Sequence, residues 1–168
     1  MEKGRVIKGR VWKFGDNIDT DQIYPTKFCV VSYTKEEVAS HAMEASDHPN
    51  FAREAKPGDI IVGGRNFGCG SSREYAPVSL KYVGVGAVVA ESFARIFYRN
   101  AFNIGLLVVE AKGISNINEG DEIEIDMELG EIRDLTTGSR YPAAAVPAGP
   151  REVFEKGGLI PYLEARYL

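Results

Sequence analysis

Apolar positions fall into short runs separated by polar, glycine-bearing stretches. Residues 5–14 (RVIKGRVWKF) carry Val6, Ile7, Val11, Trp12 and Phe14 and predict an extended segment, with Gly9 marking a bulge or a close backbone approach. Residues 15–28 are rich in Asp, Asn and Thr and end in a Tyr24-Pro25 step, which predicts a loop. Asp16, Asp19 and Asp21 crowd that loop with acids, the composition of a solvated turn. Thr34–Ala45 predicts a helix: Thr34 and Glu37 have the spacing of a capping box, and Val38, Ala42 and Ala45 give a thin apolar stripe. Residues 46–58 read as loop, with a short helical turn over Phe51–Ala55.

The middle of the chain is the most regular. Asp59–Val62 (DIIV), Val85–Ala90 (VGAVVA) and Leu106–Glu110 (LLVVE) are apolar runs of strand length. Between them Ser72–Tyr82, with Gly84 beyond its end, and Ser92–Phe102, capped by Ser92 and closed near Asn103 and Gly105, predict helices. Apolar strands alternating with helices through short links imply a largely parallel sheet covered by helices. Farther on, Glu122–Asp126 and Glu131–Leu135 alternate polar and apolar residues about Leu129-Gly130, the pattern of a hairpin. Tyr141–Pro150 reads as irregular, Arg151–Lys156 as a helical turn, Gly157-Gly158 as a break and Leu159–Tyr167 as a last helix. The expected fold is one α/β domain over residues 1–168, with antiparallel additions and no internal boundary.

Composition narrows the function. The chain has 168 residues and a net charge of −4, with a pI near 5.3; without a basic run it is not built for non-specific nucleic-acid binding. No apolar stretch reaches the roughly 18–20 residues of a membrane span, and Met1–Arg10 lacks a signal-peptide core. Cys29 and Cys69 are too few for a disulfide scaffold or for the thiolates of an iron–sulfur cluster. His41 and His48 lack the company a zinc site needs. The expected setting is a reducing cytoplasm, with no metal held by this chain.

The sharpest local feature is Gly64-Arg65-Asn66-Phe67-Gly68-Cys69-Gly70-Ser71-Ser72-Arg73-Glu74, joining a buried strand to a helix. Glycines turn backbone amides toward one point, a helix start adds unpaired N–H groups, and Arg73 adds a guanidinium that forks onto a carboxylate. The loop therefore reads as an anion-binding corner at the carboxyl end of a strand. It fits neither a P-loop, nor a dinucleotide fingerprint, nor a nucleophile elbow. A plainer account has Ser71 or Ser72 merely capping the helix and Cys69 filling space. Arg65, Arg95 and Arg99 are each able to bind an anion but read as ordinary surface arginines, and Phe93, Phe97, Tyr98 and Phe102 read as core rather than a cofactor box.

The segments GRVWKFGDNIDTDQIYP (9–25), GDIIVGGRNFGCGSSREYAP (58–77) and AVVAESFARIFYRNAFNIGL (87–106) resemble the aconitase/isopropylmalate isomerase swivelling-domain family. That family includes the small subunits of 3-isopropylmalate dehydratase and homoaconitase and the swivelling C-terminal domain of aconitase. The resemblance implies a three-layer β/β/α swivelling domain and a hydro-lyase active only with a large subunit, which holds a [4Fe–4S] cluster. It also implies Ser71 as the base that removes a proton beside a carboxylate, Ser72 and Arg73 as substrate-carboxylate contacts, and Asp21 near the active site. The stretch after the T-D segment reads Phe28-Cys29-Val30-Val31, placing Val30 where homoaconitase-type subunits carry an arginine for an extra carboxylate. An apolar residue there suits an alkyl group, because an unpaired buried carboxylate is costly. The expected reaction is the interconversion of 2- and 3-isopropylmalate through isopropylmaleate, a step of leucine biosynthesis. Homoaconitase, 2,3-dimethylmalate dehydratase and a non-catalytic anion-binding module of the same fold are the alternatives.

Overall fold

The computed structural model describes residues 6–29 and 34–168. β1 (Val6–Lys13), β2 (Ile60–Val62), β3 (Ala87–Ala90), β4 (Val108–Glu110), β5 (Glu122–Asp126), β6 (Glu131–Asp134) and β7 (Arg140–Pro142) form a seven-stranded sheet ordered β4-β3-β2-β1-β5-β6-β7. The halves differ in kind. β1 to β4 run parallel, whereas β5, β6 and β7 continue from β1 as an antiparallel meander. β1 serves both: Val11–Lys13 pair with Ile60–Val62, and Val6–Arg10 pair with Glu122–Asp126.

Two apolar clusters make the layers. Ile61, Val88 and Val108 point from the parallel strands into a cluster with Trp12, Phe51, Leu80, Phe97 and Ala101, which the helices cover. Their neighbours Ile60, Val62, Val89 and Val109 point the other way and meet Ile123, Ile125, Ile132 and Tyr141 of the antiparallel half. The side-chain period of two thus puts helices on one face and the antiparallel half of the sheet, folded over, on the other, which explains why β2 and β3 are unbroken apolar runs. This is the expected β/β/α arrangement.

Among the described residues seven helices accompany the sheet: α1 (Thr20–Ile23), α2 (Lys35–Ser40), α3 (Phe51–Glu54), α4 (Tyr75–Val83), α5 (Arg95–Ile104), α6 (Ala148–Glu155) and α7 (Leu159–Tyr167). Thr34 caps α2 with Glu37 as expected, but α2 ends at Ser40 rather than Ala45. Met43 takes φ 59° and its N–H donates to the Ile23 carbonyl, so tertiary pairing wins over the helical pattern. Residues 15–28 are not a plain solvated turn: Asp19 caps α1 in a box with Gln22, and Thr26–Phe28 form a 3₁₀ turn. Ser92 does not cap α5; Ala94 holds that position, and the Ser92 hydroxyl accepts from the Asn66 N–H at 2.8 Å instead. The stretch expected to be irregular contains β7, because Tyr141 is buried opposite Ile132, and α6 starts already at Ala148. Gly9 is a close approach, since a Cβ there would overlap the Gly58 carbonyl.

Candidate active site

The site grows from the carboxyl ends of β1 and β2, where open α/β sheets leave room for ligands. Beyond both strands the chains stay zipped. The Gly64 N–H donates to the Gly15 carbonyl at 3.0 Å, Arg65 N–H to Asp16 Oδ1 at 2.7 Å, Gly68 N–H to the Ile18 carbonyl at 2.7 Å and Thr20 N–H to the Cys69 carbonyl at 2.7 Å. Asp16 and Asp19 are therefore structural: one fastens the glycine loop and the other starts α1.

The zipper delivers a Thr-Asp pair to a Ser-Ser-Arg run. Thr20 is buried, and its Oγ1 lies 3.1 Å from Ser71 Oγ and accepts from the Ser71 N–H at 3.2 Å. The next residue, Asp21, faces the other way: Oδ1 accepts from Thr26 N–H at 2.9 Å, Thr26 Oγ1 at 2.7 Å and Arg73 Nη1 at 3.1 Å. Ser71, Arg73 and Asp21, separated by some fifty positions in sequence, thus share one corner. Ser72 is exposed beside them; its carbonyl accepts from Asn100 Nδ2 at 3.3 Å. Val30 lies outside the described residues.

The capping account of the serines fails. α4 begins at Tyr75 with Glu74 as N-cap and no side-chain cap bond, so Ser71–Arg73 stand in the loop before the helix. Two glycines make that course possible. Gly68 (φ 83°) and Gly70 (φ 105°) sit where side-chained residues are strained, and a Cβ on Gly68 would enter the Phe97 ring.

Ser71 opens onto a cleft of 420 Å³ whose near wall is Gly68, Gly70 and Ser71 and whose far wall is Ala94, Arg95, Ile96 and Arg99. Nothing in the sequence marked Thr20, whereas Arg95 and Arg99 stood there as surface arginines able to bind an anion. The arginines fall a helical turn apart on the helix that follows the Phe67–Phe93 bridge to the glycine loop, a spacing the sequence did contain.

Electrostatics sort these groups. The two Thr26 hydrogen bonds, and then Arg73, hold the Asp21 carboxyl below the usual carboxylate range. The clasp is therefore complete above that range and loosens as pH falls through the lowered value. We expect Arg73→Gln to move the Asp21 titration upward yet leave it below an ordinary aspartate, because Thr26 is the larger cause. A carbon-detected NMR titration checks this, and an unmoved Asp21 in the variant contradicts it. Burial, with Asp19 adding to it, pushes the Cys69 thiol up, which suits a protonated filler rather than a nucleophile.

The comparisons with known proteins agree. Residues 23–113 match the aconitase C-terminal domain model. The chain is 57% identical to the isopropylmalate/citramalate isomerase small subunit of Methanocaldococcus jannaschii, covering 96% of this chain and 95% of that protein. It is 54% identical to the 3-isopropylmalate dehydratase small subunit of Aquifex aeolicus, over 95% of both. The chain belongs to the 3-isopropylmalate dehydratase small-subunit family. Its solved relative, 3-isopropylmalate dehydratase of M. jannaschii, superposes with a TM-score of 0.88 at 45% identity, covering 96% of this chain and 95% of the other. A methanogen homoaconitase small subunit from Methanothermobacter thermautotrophicus is 54% identical over 92% of this chain and 89% of its own.

Membership makes this chain part of a hydro-lyase that works with a large subunit. A [4Fe–4S] cluster does not fit the residues it offers. Among the described residues no three His, Cys, Asp or Glu side chains gather as a metal site, and Cys29 and Cys69 are free thiols. No described helix is long and apolar enough to cross a membrane.

Proposed function

We propose that this chain is the small subunit of a cytoplasmic hydro-lyase that interconverts 2- and 3-isopropylmalate through isopropylmaleate. The observation that carries the reading is the clasp of Thr20 and Asp21 onto Ser71 and Arg73, in a chain of this family. Residues 1–168 act as one swivelling unit, and the [4Fe–4S] cluster belongs to the large subunit.

Ser71 is the base. Its Oγ takes the proton from the carbon next to a carboxylate, a double bond forms, and the hydroxyl of the neighbouring carbon departs as hydroxide, for which the cluster of the large subunit would supply the Lewis acid. Re-addition of water with the carbons exchanged gives the isomer, and Ser71 returns the proton. A serine hydroxyl does this only if its alkoxide is stabilised. The Thr20 hydroxyl at 3.1 Å is placed to donate to that alkoxide, and the bond the Ser71 N–H makes to Thr20 Oγ1 fixes the partner. Negative charge also builds on the substrate carboxylate as the proton leaves. Arg73 spends Nη1 on Asp21 and keeps further N–H donors for that carboxylate, with the Ser72 hydroxyl beside it. Asp21 in this account sets the aim of Arg73.

Val30 supports an alkyl substituent over an extra carboxylate. Homoaconitate and dimethylmalate chemistry share every other feature of the site, so substrate comparison is the test. The purified chain, combined with the cluster-loaded large subunit from its own source, is expected to hydrate isopropylmaleate at least tenfold faster than homoaconitate, with neither chain active alone. Preferential turnover of homoaconitate overturns the substrate. A complex that forms and turns over neither leaves the fold standing and reopens the substrate, with 2,3-dimethylmalate next to be tried; tight dicarboxylate binding by the isolated chain, with no cluster-bearing partner in its source, supports the non-catalytic module.

A further inference from the structure

The outer face of α5 and the groove beside it are built to be covered. Every other described arginine has a side-chain partner: Asp59 for Arg10, Asn50 for Arg53, Asp16 for Arg65, Asp21 for Arg73, and further carboxylates or a phenol for the rest. Arg95 and Arg99 alone among the described arginines have none, and both are exposed. Between and beside them Ile96 is 50% exposed and Tyr98 43%. Arginine and tyrosine around a bare aliphatic side chain is the composition that concentrates binding energy at protein interfaces.

The same two arginines border two hollows. On one side is the Ser71 cleft. On the other is a groove of 530 Å³ between α5 and the segment leading into α6, floored by Phe93, Phe102, Val146, Pro147 and Phe154. Phe102 and Phe154 meet edge to face across it at 5.6 Å. Proton abstraction at Ser71 needs the cleft closed against water, and a body that closes it must rest on Arg95, Ile96 and Arg99.

We infer that the α5 face and this groove seat the large subunit, through a segment that sets carboxylates against Arg95 and Arg99 and an apolar side chain into the Phe102–Phe154 groove. The inference rests on the two-chain reading above. The charge pattern supports an acidic contact: this chain carries −4 overall, so an acidic surface is drawn to it only where local cations stand unpaired, and such cations fix the register of docking.

The test is the dissociation constant of the complex, read by titrating fluorescently labelled chain with the large subunit at two salt concentrations. The variants are Arg95→Glu with Arg99→Glu, and separately Ile96→Asp. The acid at position 95 falls in the first turn of α5, where the helix dipole favours it, and residue 96 is half exposed. Both chains should therefore keep the parent circular dichroism and thermal midpoint. The expected result is affinity at least tenfold weaker for each variant, with the double variant less sensitive to salt than the parent. Parent-like affinity in both variants overturns the inference, as does no binding by the parent. A double variant that assembles normally but has a raised KM also overturns it and hands the pair to the substrate. Failure of the isopropylmalate reading shows separately, as a parent complex that forms and does not hydrate isopropylmaleate.

Discussion

Replacing Ser71 by Ala is expected to lower kcat by roughly 10²–10⁴, the usual worth of a positioned proton-transfer group, while KM and assembly with the large subunit stay near the parent values. Only the hydroxyl is lost. The Ser71 N–H keeps its bond to Thr20 Oγ1, and the backbone course set by Gly68 and Gly70 does not depend on the side chain. Thr20→Val separates the base from its support. It keeps the buried volume but removes the oxygen 3.1 Å from Ser71 Oγ, and should lose less than Ser71→Ala because the base itself remains. A Ser71→Ala complex with full turnover would remove the serine from the chemistry.

The second large effect is on stability. Gly68→Ala should lower the thermal midpoint of the chain by roughly 5–15 °C. A side-chained residue at φ 83° costs about 1–2 kcal/mol. The new methyl would also lie 2.5 Å from Phe97 Cβ and 2.6 Å from its Cδ2. Phe97 has nowhere to go: it is 2% exposed, stacked parallel to Phe93 and met edge-on by Phe67. Overpacking of this kind costs about 1–3 kcal/mol, and each kcal/mol is worth roughly 2–4 °C in a chain of this size. Gly138 provides the internal control. It has nearly the same φ, 81°, but nothing lies within 4 Å of the place a Cβ would take, so Gly138→Ala should show only the conformational part. Equal midpoint losses in the two variants would mean that the Phe97 contact contributes nothing.

The layered fold was legible because burial writes itself into the sequence. Apolar runs too short for helices marked β2, β3 and β4, alternation marked the β5–β6 hairpin, and Gly84, Gly105 and the Gly157-Gly158 break closed α4, α5 and α6. Capping was legible at Thr34 and Glu37, where an apolar stripe follows the box, but the equally local box of Asp19 and Gln22 was hidden in a loop of acids before a helix of one turn. Capping misled where tertiary bonds compete. Ser92 gives its oxygen to Asn66, and Ser71 is held by Thr20 before α4 begins. β7 left no pattern because only Tyr141 is buried in it, between the exposed Arg140 and Pro142.

The candidate site divides in the same way. The Ser-Ser-Arg run stood out as chemistry, Asp21 did so only through the family resemblance, and the fold brings Ser71, Arg73 and Asp21 to one corner. Thr20 did not stand out, because a buried threonine in an acidic loop looks like filling until the zipper of residues 15–20 against 64–70 is seen. Arg95 and Arg99 were visible as arginines able to bind an anion but could not be told from Arg65, which the fold pairs with Asp16: the absence of partners is a property of the folded surface.

The central claim is that this chain supplies the proton-moving group for chemistry completed by another chain. Its most direct test is solvent deuterium entering the substrate C–H position in heavy water, followed by mass spectrometry of isopropylmalate. The account predicts deuterium incorporation with both parent subunits together, none with either alone, and a loss of roughly a hundredfold or more with Ser71→Ala in a complex that still assembles. Incorporation at the parent rate by the Ser71→Ala complex, or by the large subunit alone, would contradict it.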